Sequence, residues 1–273
     1  MSFPETVVLT YGEVKATSLT QRAPLGTRGV LPDGRVFRYS KAGGAIRLAW
    51  LVQGEITKNV TGLFSLSSSA NLPIGAGTTH TSTWTYMEVE TSWLADATAL
   101  AANTFAEGYL YVGSCADGVF VTSTGTGQMV QIKDHLVHTA SSTEHTNFNF
   151  MDGDHLVEDV STDHSVGLYK NPYKDVINVV QAAVPTGPVV GVPLTNVDSG
   201  SHFWVQTWGP AVCQAGAAIA LGNMVTGSTD AAVTGLGPAI FCSAAPSVAP
   251  IIGQALTKSL ASQYVIVMLQ LSP

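Results

Sequence analysis

The chain has 273 residues, only 11% of them charged, and a formal net charge of −7, where soluble domains ordinarily carry about 25% charged residues. An acidic chain with no Lys/Arg cluster has no basic field for nucleic acid, so direct DNA or RNA binding is disfavoured. No stretch reaches the length of a membrane span, since the segment from Ala211 to Leu221 is short and broken by glycine, and residues 1–10 lack the basic start and apolar run of a signal peptide.

Ser, Thr, Gly, Ala and Val stand where charge is missing, a mix that disfavours long exposed helices and favours strands and turns. The expected fold is mostly β, a sandwich-like or barrel-like core with an extended N-terminal arm and long loops. With a mean hydropathy of +0.24, the surface carries little charge to keep a lone copy dissolved, as suits a protein covered in an assembly. Three cysteines without CxxC spacing, Cys115, Cys213 and Cys242, read as reduced, small, buried residues.

In chain order, residues 1–27 alternate at Val7, Leu9 and Tyr11 but contain no turn that folds them back on themselves. They read as an arm lying on a neighbour. Pro32-Asp33-Gly34-Arg35 is a turn leading into the alternating Val36-Phe37-Arg38-Tyr39, hence a hairpin, which ends at Lys41 to Gly44. An apolar run follows from Ile46 to Val52. Residues 56–108 are rich in Ser, Thr and Ala, with a weak helix pattern over 92–105. Strands are expected at Tyr109–Val112, Gly118–Val121, Met129–Ile132, His164–Tyr169, Val176–Val180 and Val189–Val192, and a long apolar one at Tyr264–Leu271. The division expected is 1–55 as arm and hairpin and 56–273 as the β-rich body, with a loop-rich projection over 134–164.

The run His202 to Pro210 is the densest signal. Phe203, Val205 and Thr207 alternate with Trp204, Gln206 and Trp208, so a strand here carries large side chains on both faces and needs a cover on each. In a chain poor in helix, another subunit is one source of the second cover.

Chemistry-bearing residues do not assemble into a motif. Five of the seven histidines, His135, His138, His145, His155 and His164, lie among Asp and Glu between 134 and 164. Imidazole with carboxylate is metal-ligand chemistry, but no HExxH or complete calcium loop is present, so these read as loop or contact residues with no metal and no cofactor. Ser114-Cys115 lacks a nucleophile elbow, and nothing assembles a triad. The expectation is a chain that is not an enzyme. Trp84, Trp93 and Tyr86 read as core aromatics, with a carbohydrate-stacking platform as the alternative.

Several strings carry a resemblance. Leu25-Gly26-Thr27, Asp33 to Gly44, Leu51-Val52-Gln53, Ala106 to Leu110, Ile132 to His135, Asn171-Pro172-Tyr173, Trp204 to Pro210 and Ile252-Gly253 together span nearly the whole chain. They resemble structural proteins of tailed-bacteriophage head-gene clusters, among them capsid decoration, or cement, proteins. The resemblance implies a virion protein made in the host bacterial cytoplasm. It would sit on the capsid surface as a homotrimer, bind the major capsid protein and stabilise the expanded head. The expected interface residues are Val7, Leu9, Tyr11, Arg35, Phe37, Arg38, Trp204 and Trp208. The other function weighed is a tail-associated or head-fibre adhesin that contacts host glycans through Trp84, Trp93 or the 134–164 region.

Overall fold

The computed structural model describes residues 6–55, 83–90, 101–114, 126–137, 145–160, 164–179, 187–216, 218–227, 240–241 and 251–273. The chain divides into two compact units, Met1–Ile56 with Pro172–Pro273 (unit 1) and Thr57–Asn171 (unit 2). The sequence-based division is corrected in one respect: residues 1–55 belong with the C-terminal third, and the body expected over 56–273 is two separate units.

Among the described residues the fold is β throughout, apart from a 3-10 turn at Glu13–Lys15. Unit 1 holds β1 (Thr6–Val8), β2 (Arg28–Val30), β3 (Val36–Lys41) and β4 (Val52–Gln53). Unit 2 supplies β5 (Tyr86–Glu90), β6 (Tyr109–Ser114), β7 (Met129–His135), β8 (His145–Phe150) and β9 (His164–Tyr169). The chain then returns to unit 1 with β10 (Ile177–Asn178), β11 (Val189–Pro193), β12 (His202–Gln214), β13 (Met224–Gly227), β14 (Ile240–Phe241), β15 (Ile251–Ala255) and β16 (Tyr264–Gln270).

In unit 1 the strand order is β1-β2-β3-β12-β16-β15-β13-β14, with β11, β4 and β10 branching from β12. The expected hairpin is present, closed by hydrogen bonds from Leu31 N to Arg35 O and from Gly34 N to Leu31 O, with Val30 opposite Val36. Strand β12 is thirteen residues long and changes partner along its length. Residues 202–208 pair with β3, and residues 208–214 pair with β16.

Both faces of its first half are covered by the chain itself. Phe203 and Val205 pack with Ile46, Val52, Val176, Val190 and Val197 on one side. Trp204 packs with Leu9, Val14, Leu25, Leu31, Phe37 and Tyr39 on the other. The second cover is therefore the N-terminal segment, not a neighbouring subunit. That segment needs no hairpin turn because β1 pairs in parallel with β2, and a parallel pair is joined by a crossover. Within that crossover Thr10 and Glu13 form a reciprocal cap: Thr10 Oγ1 accepts from Glu13 N, and Glu13 Oε2 accepts from Thr10 N. Ser18 and His202 then exchange two backbone hydrogen bonds of 3.0 and 2.7 Å. The segment is thus part of its own sheet, with one edge of β1 met by β2, where the expectation had it lying wholly on a neighbour.

Unit 2 contains an antiparallel sheet of order β5-β8-β7-β6-β9. Its inner face buries Met87, Leu110, Val112, Val130, Ile132, Phe148, Phe150, Val166 and Leu168, closed over by Phe105, Leu156 and Val160. The 134–164 stretch, expected as a loop-rich projection, contributes β8 to the middle of this sheet. In β8, Thr146, Phe148 and Phe150 point inward while Asn147 and Asn149 are exposed. His135 ends β7 inside the core and is 2% exposed. Its Nε2 accepts a hydrogen bond from Phe105 N at 3.0 Å, which leaves Nδ1 as the donor to Leu136 O at 2.9 Å. A ring with its lone pair occupied by a backbone N–H is a structural group, so reading His135 as a loop or contact residue is corrected. The strand expected at 118–121 and most of the helix pattern at 92–105 lie outside the described residues. So do His138, Trp93, Cys115 and Cys242.

Two outcomes follow for stability. Trp204→Ala is expected to cost about 3–5 kcal/mol and Leu9→Ala about 2–4 kcal/mol in urea unfolding. An unchanged midpoint for both would place the N-terminal segment off the core. His135→Ala strands the Phe105 N–H and is expected to cost roughly 1–3 kcal/mol, with His135→Gln recovering part of the loss if the acceptor is what matters.

Candidate interaction surface

The eight residues expected at an interface separate into two groups. Leu9, Phe37 and Trp204 are buried, and the half-buried Val7 packs against the same cluster. Arg38 is spent internally, its guanidinium donating to Gly26 O and Ser272 Oγ. Tyr11, Arg35 and Trp208 remain at the surface, with Tyr11 exposed and Trp208 half-buried.

Arg35 lies beside Tyr11. Its guanidinium carbon lies 6.0 Å from the Tyr11 ring centroid, and its Nε donates to Asp33 Oδ2 at 2.9 Å. Slight burial acts to raise the Asp33 carboxyl, but the Arg35 backbone N–H and guanidinium outweigh it and hold it below the usual carboxylate value. The stem of Arg35 runs over Gly209, where an added Cβ would stand 3.0 Å from Arg35 Cγ. Gly209 also has φ +87, in the left-handed region that favours glycine. It lies just past the irregularity that separates Gln206 from Trp208 in the pairing with β3, so this glycine lets β12 change partner beside Arg35.

From Trp208 onward the outward residues of β12 are Trp208, Pro210, Val212 and Gln214. Across the ladder they face Gln270, Met268, Ile266 and Tyr264 of β16. The inward set, Ala211, Cys213, Val265, Val267 and Leu269, fills the core. Burial pushes the Cys213 thiol far up, so it is inert, as expected of a small core residue. The outward set is exposed and apolar: Val212 is 52% exposed, Tyr264 60% and Ile266 39%. Met224 extends it on β13, opposite Gln254, which in turn faces Met268. Every side chain of this face is uncharged. Alongside it runs a groove of about 620 Å3, walled by Leu48, Pro193, Leu194, Val212, Tyr264 and Ile266, with Arg35 at its rim.

The sequence showed Tyr264–Leu271 as a long apolar strand, and β16 is an interior strand of its sheet, but its continuous apolar run gave no sign that alternate residues are exposed. A second groove, of about 350 Å3, follows the seam between the N-terminal segment and Tyr39, His202 and Trp204. In unit 2, Trp84 and Tyr86 are not core residues. They are half-buried and stacked on each other at 5.2 Å between ring centroids. Among the described residues no group of three His, Cys, Asp or Glu side chains is placed to hold a metal ion, and His155 is exposed.

No family model matches the chain, and no curated protein matches it. Among solved structures it is similar to the head fiber gp8.5 N base of bacteriophage phi29. That likeness has 19% sequence identity and a TM-score of 0.25, covering 36% of this chain and 71% of that one. At that level nothing is carried over to this chain.

Proposed function

We propose that this chain is a non-enzymatic structural protein of a bacteriophage virion, a decoration protein that binds the major capsid protein on the outer capsid surface as a homotrimer. The phage setting rests on the strings that resemble head-gene-cluster proteins. The observation that carries the structural role is the uncharged outer face of β12 and β16 with its adjoining groove. Exposed apolar side chains on two neighbouring strands beside an apolar groove form one contiguous patch, the kind of surface that marks a protein–protein contact.

The occupant proposed for this face is a second copy of the chain. Copies with a net charge of −7 repel one another, and the contact that adds no like-charge pair is one between charge-free surfaces. A head-to-tail contact made by this face with its adjoining groove closes into a ring of three when its rotation is a third of a turn. Tyr11 and Arg35, at the margin of that surface, are the residues left for the capsid. Arg35 is the cation there, suited to a carboxylate partner. Binding that is tighter to the expanded lattice than to its precursor would stabilise the expanded head by that difference, and many copies acting together need no strong single contact.

Light scattering is expected to give about three times the 28.5 kDa of one chain, and the double substitution Val212→Asp, Ile266→Asp is expected to reduce it to one chain with an unchanged circular dichroism spectrum. A wild-type mass near 28.5 kDa across a wide concentration range would sink the oligomer. Imaging of particles with and without the protein tests its location: density at capsomer junctions is expected, and density confined to the tail would refute decoration.

A further inference from the structure

The outer face of the unit 2 sheet differs in chemistry from the unit 1 face. Side chains on it alternate with the buried core set. They include Tyr86 on β5, Asn149 on β8, Asp134 and Gln131 on β7, and Tyr109 and Tyr111 on β6. Tyr109 stands opposite Tyr169 on β9. The six are aromatic, amide or carboxylate; the exposed cation beside them, Lys133 of β7, is paired with Asp152 at 2.7 Å.

Two details show that the rings are set, not loose. Gly167 on β9 faces Tyr111, and a Cβ built on Gly167 would overlap the Tyr111 ring. The ring therefore lies over the strand in space that only glycine leaves open. At the opposite edge Tyr86 is held by its stack with Trp84, the two planes inclined by 23°. Between the edges, Asn149 Nδ2 donates to Asp134 Oδ1 at 2.6 Å, which fixes the amide with its remaining groups outward. From β5 to β9 is four strand spacings, roughly 19 Å.

We propose that this face binds a neutral saccharide chain laid across the strands. A pyranose ring has an apolar C–H face, which packs on an aromatic ring, and an equatorial rim of hydroxyls, which donate to carboxylates and pair with side-chain amides. Aromatic rings at both edges with amide and carboxylate between them supply that sequence of contacts over the length of about three or four sugar rings. An anionic ligand would meet Asp134 and Glu88, and the cation beside them, Lys133, is already paired with Asp152 at 2.7 Å. A purely apolar partner would strand the Asn149–Asp134 pair. The inference is independent of capsid decoration, since it involves other residues on the other unit.

The test is titration of the full-length protein with an array of defined linear tetrasaccharides, neutral and acidic, followed by ligand-observed NMR. At least one neutral chain is expected to bind. Tyr109→Ala and Tyr111→Ala are each expected to weaken it roughly tenfold or more, the loss of one stacking contact. Gly167→Ala is expected to weaken it as well, because the methyl displaces the Tyr111 ring without removing it. Circular dichroism and melting of each variant check the fold, and Val212→Asp on unit 1 is expected to leave binding unchanged. The proposal is overturned if no neutral member binds at millimolar concentration, if only acidic members bind, or if Tyr111→Ala binds as the wild type does in a folded protein.

Discussion

Strand β12 must be covered on both faces, and unit 1 is arranged around that need. Trp204 and Phe203 are adjacent and point to opposite sides, so neither side can be left to water without exposing a large side chain. One cover is built from segments around Ile46, Val176 and Val197, the other from the first thirty residues. That requirement accounts for the parallel β1–β2 pair, for the Thr10–Glu13 cap that turns the chain, and for the Ser18 bridge that brings the segment back to β12. Chain ends otherwise fray readily; here Leu9 at 3% exposure ties the segment to the core.

The cover runs out where β12 exchanges partners. Up to Thr207 both faces of β12 are buried, and from Trp208 onward alternate residues are open. Gly209 makes the change possible by taking a left-handed conformation under the Arg35 stem. One strand is therefore core along its first half and surface along its second, and the residues change with it, from tryptophan and phenylalanine to proline and valine. The surface properties proposed for this protein arise at the end of the very element that holds it together.

Much of this was legible in the residues. The hairpin at Asp33-Gly34, strands β6, β9, β11 and β16, and the two-faced character of 203–208 follow from turn chemistry and period-two alternation. What could not be read was partnership. Nothing local in Val7, Leu9 and Tyr11 says whether a strand edge is met by β2 or by another molecule, because a parallel pairing leaves no turn signature. Strand β8 was hidden for a different reason. His145, Asn147 and Asn149 give it a polar look, and its apolar half, Thr146, Phe148 and Phe150, shows only when every second residue is taken alone. His135 was read as a loop or contact residue because it stands at the start of a polar stretch rich in His and Asp, whereas its bond to Phe105 N is a tertiary fact with no sequence mark.

The low charge of the chain acquires a structural meaning once the two sheets are compared. A β-sheet with a wet outer face usually carries Lys and Glu there, which keeps sheets from meeting face to face. Here the outer face of β12 and β16 is apolar, and that of the unit 2 sheet is tyrosine with amides and carboxylates. The unit 1 face carries no charge, and on the unit 2 face the one exposed lysine of the described strands, Lys133, is neutralised by Asp152. Eleven per cent charge is thus what remains when two faces, on separate units, are each kept clear for something to lie on. For unit 1 the stabilisation comes from removing apolar area from water, and for unit 2 from matching a mixed apolar and hydroxyl surface. A charge placed on Val212 should therefore disturb association while leaving the tyrosine face as it is.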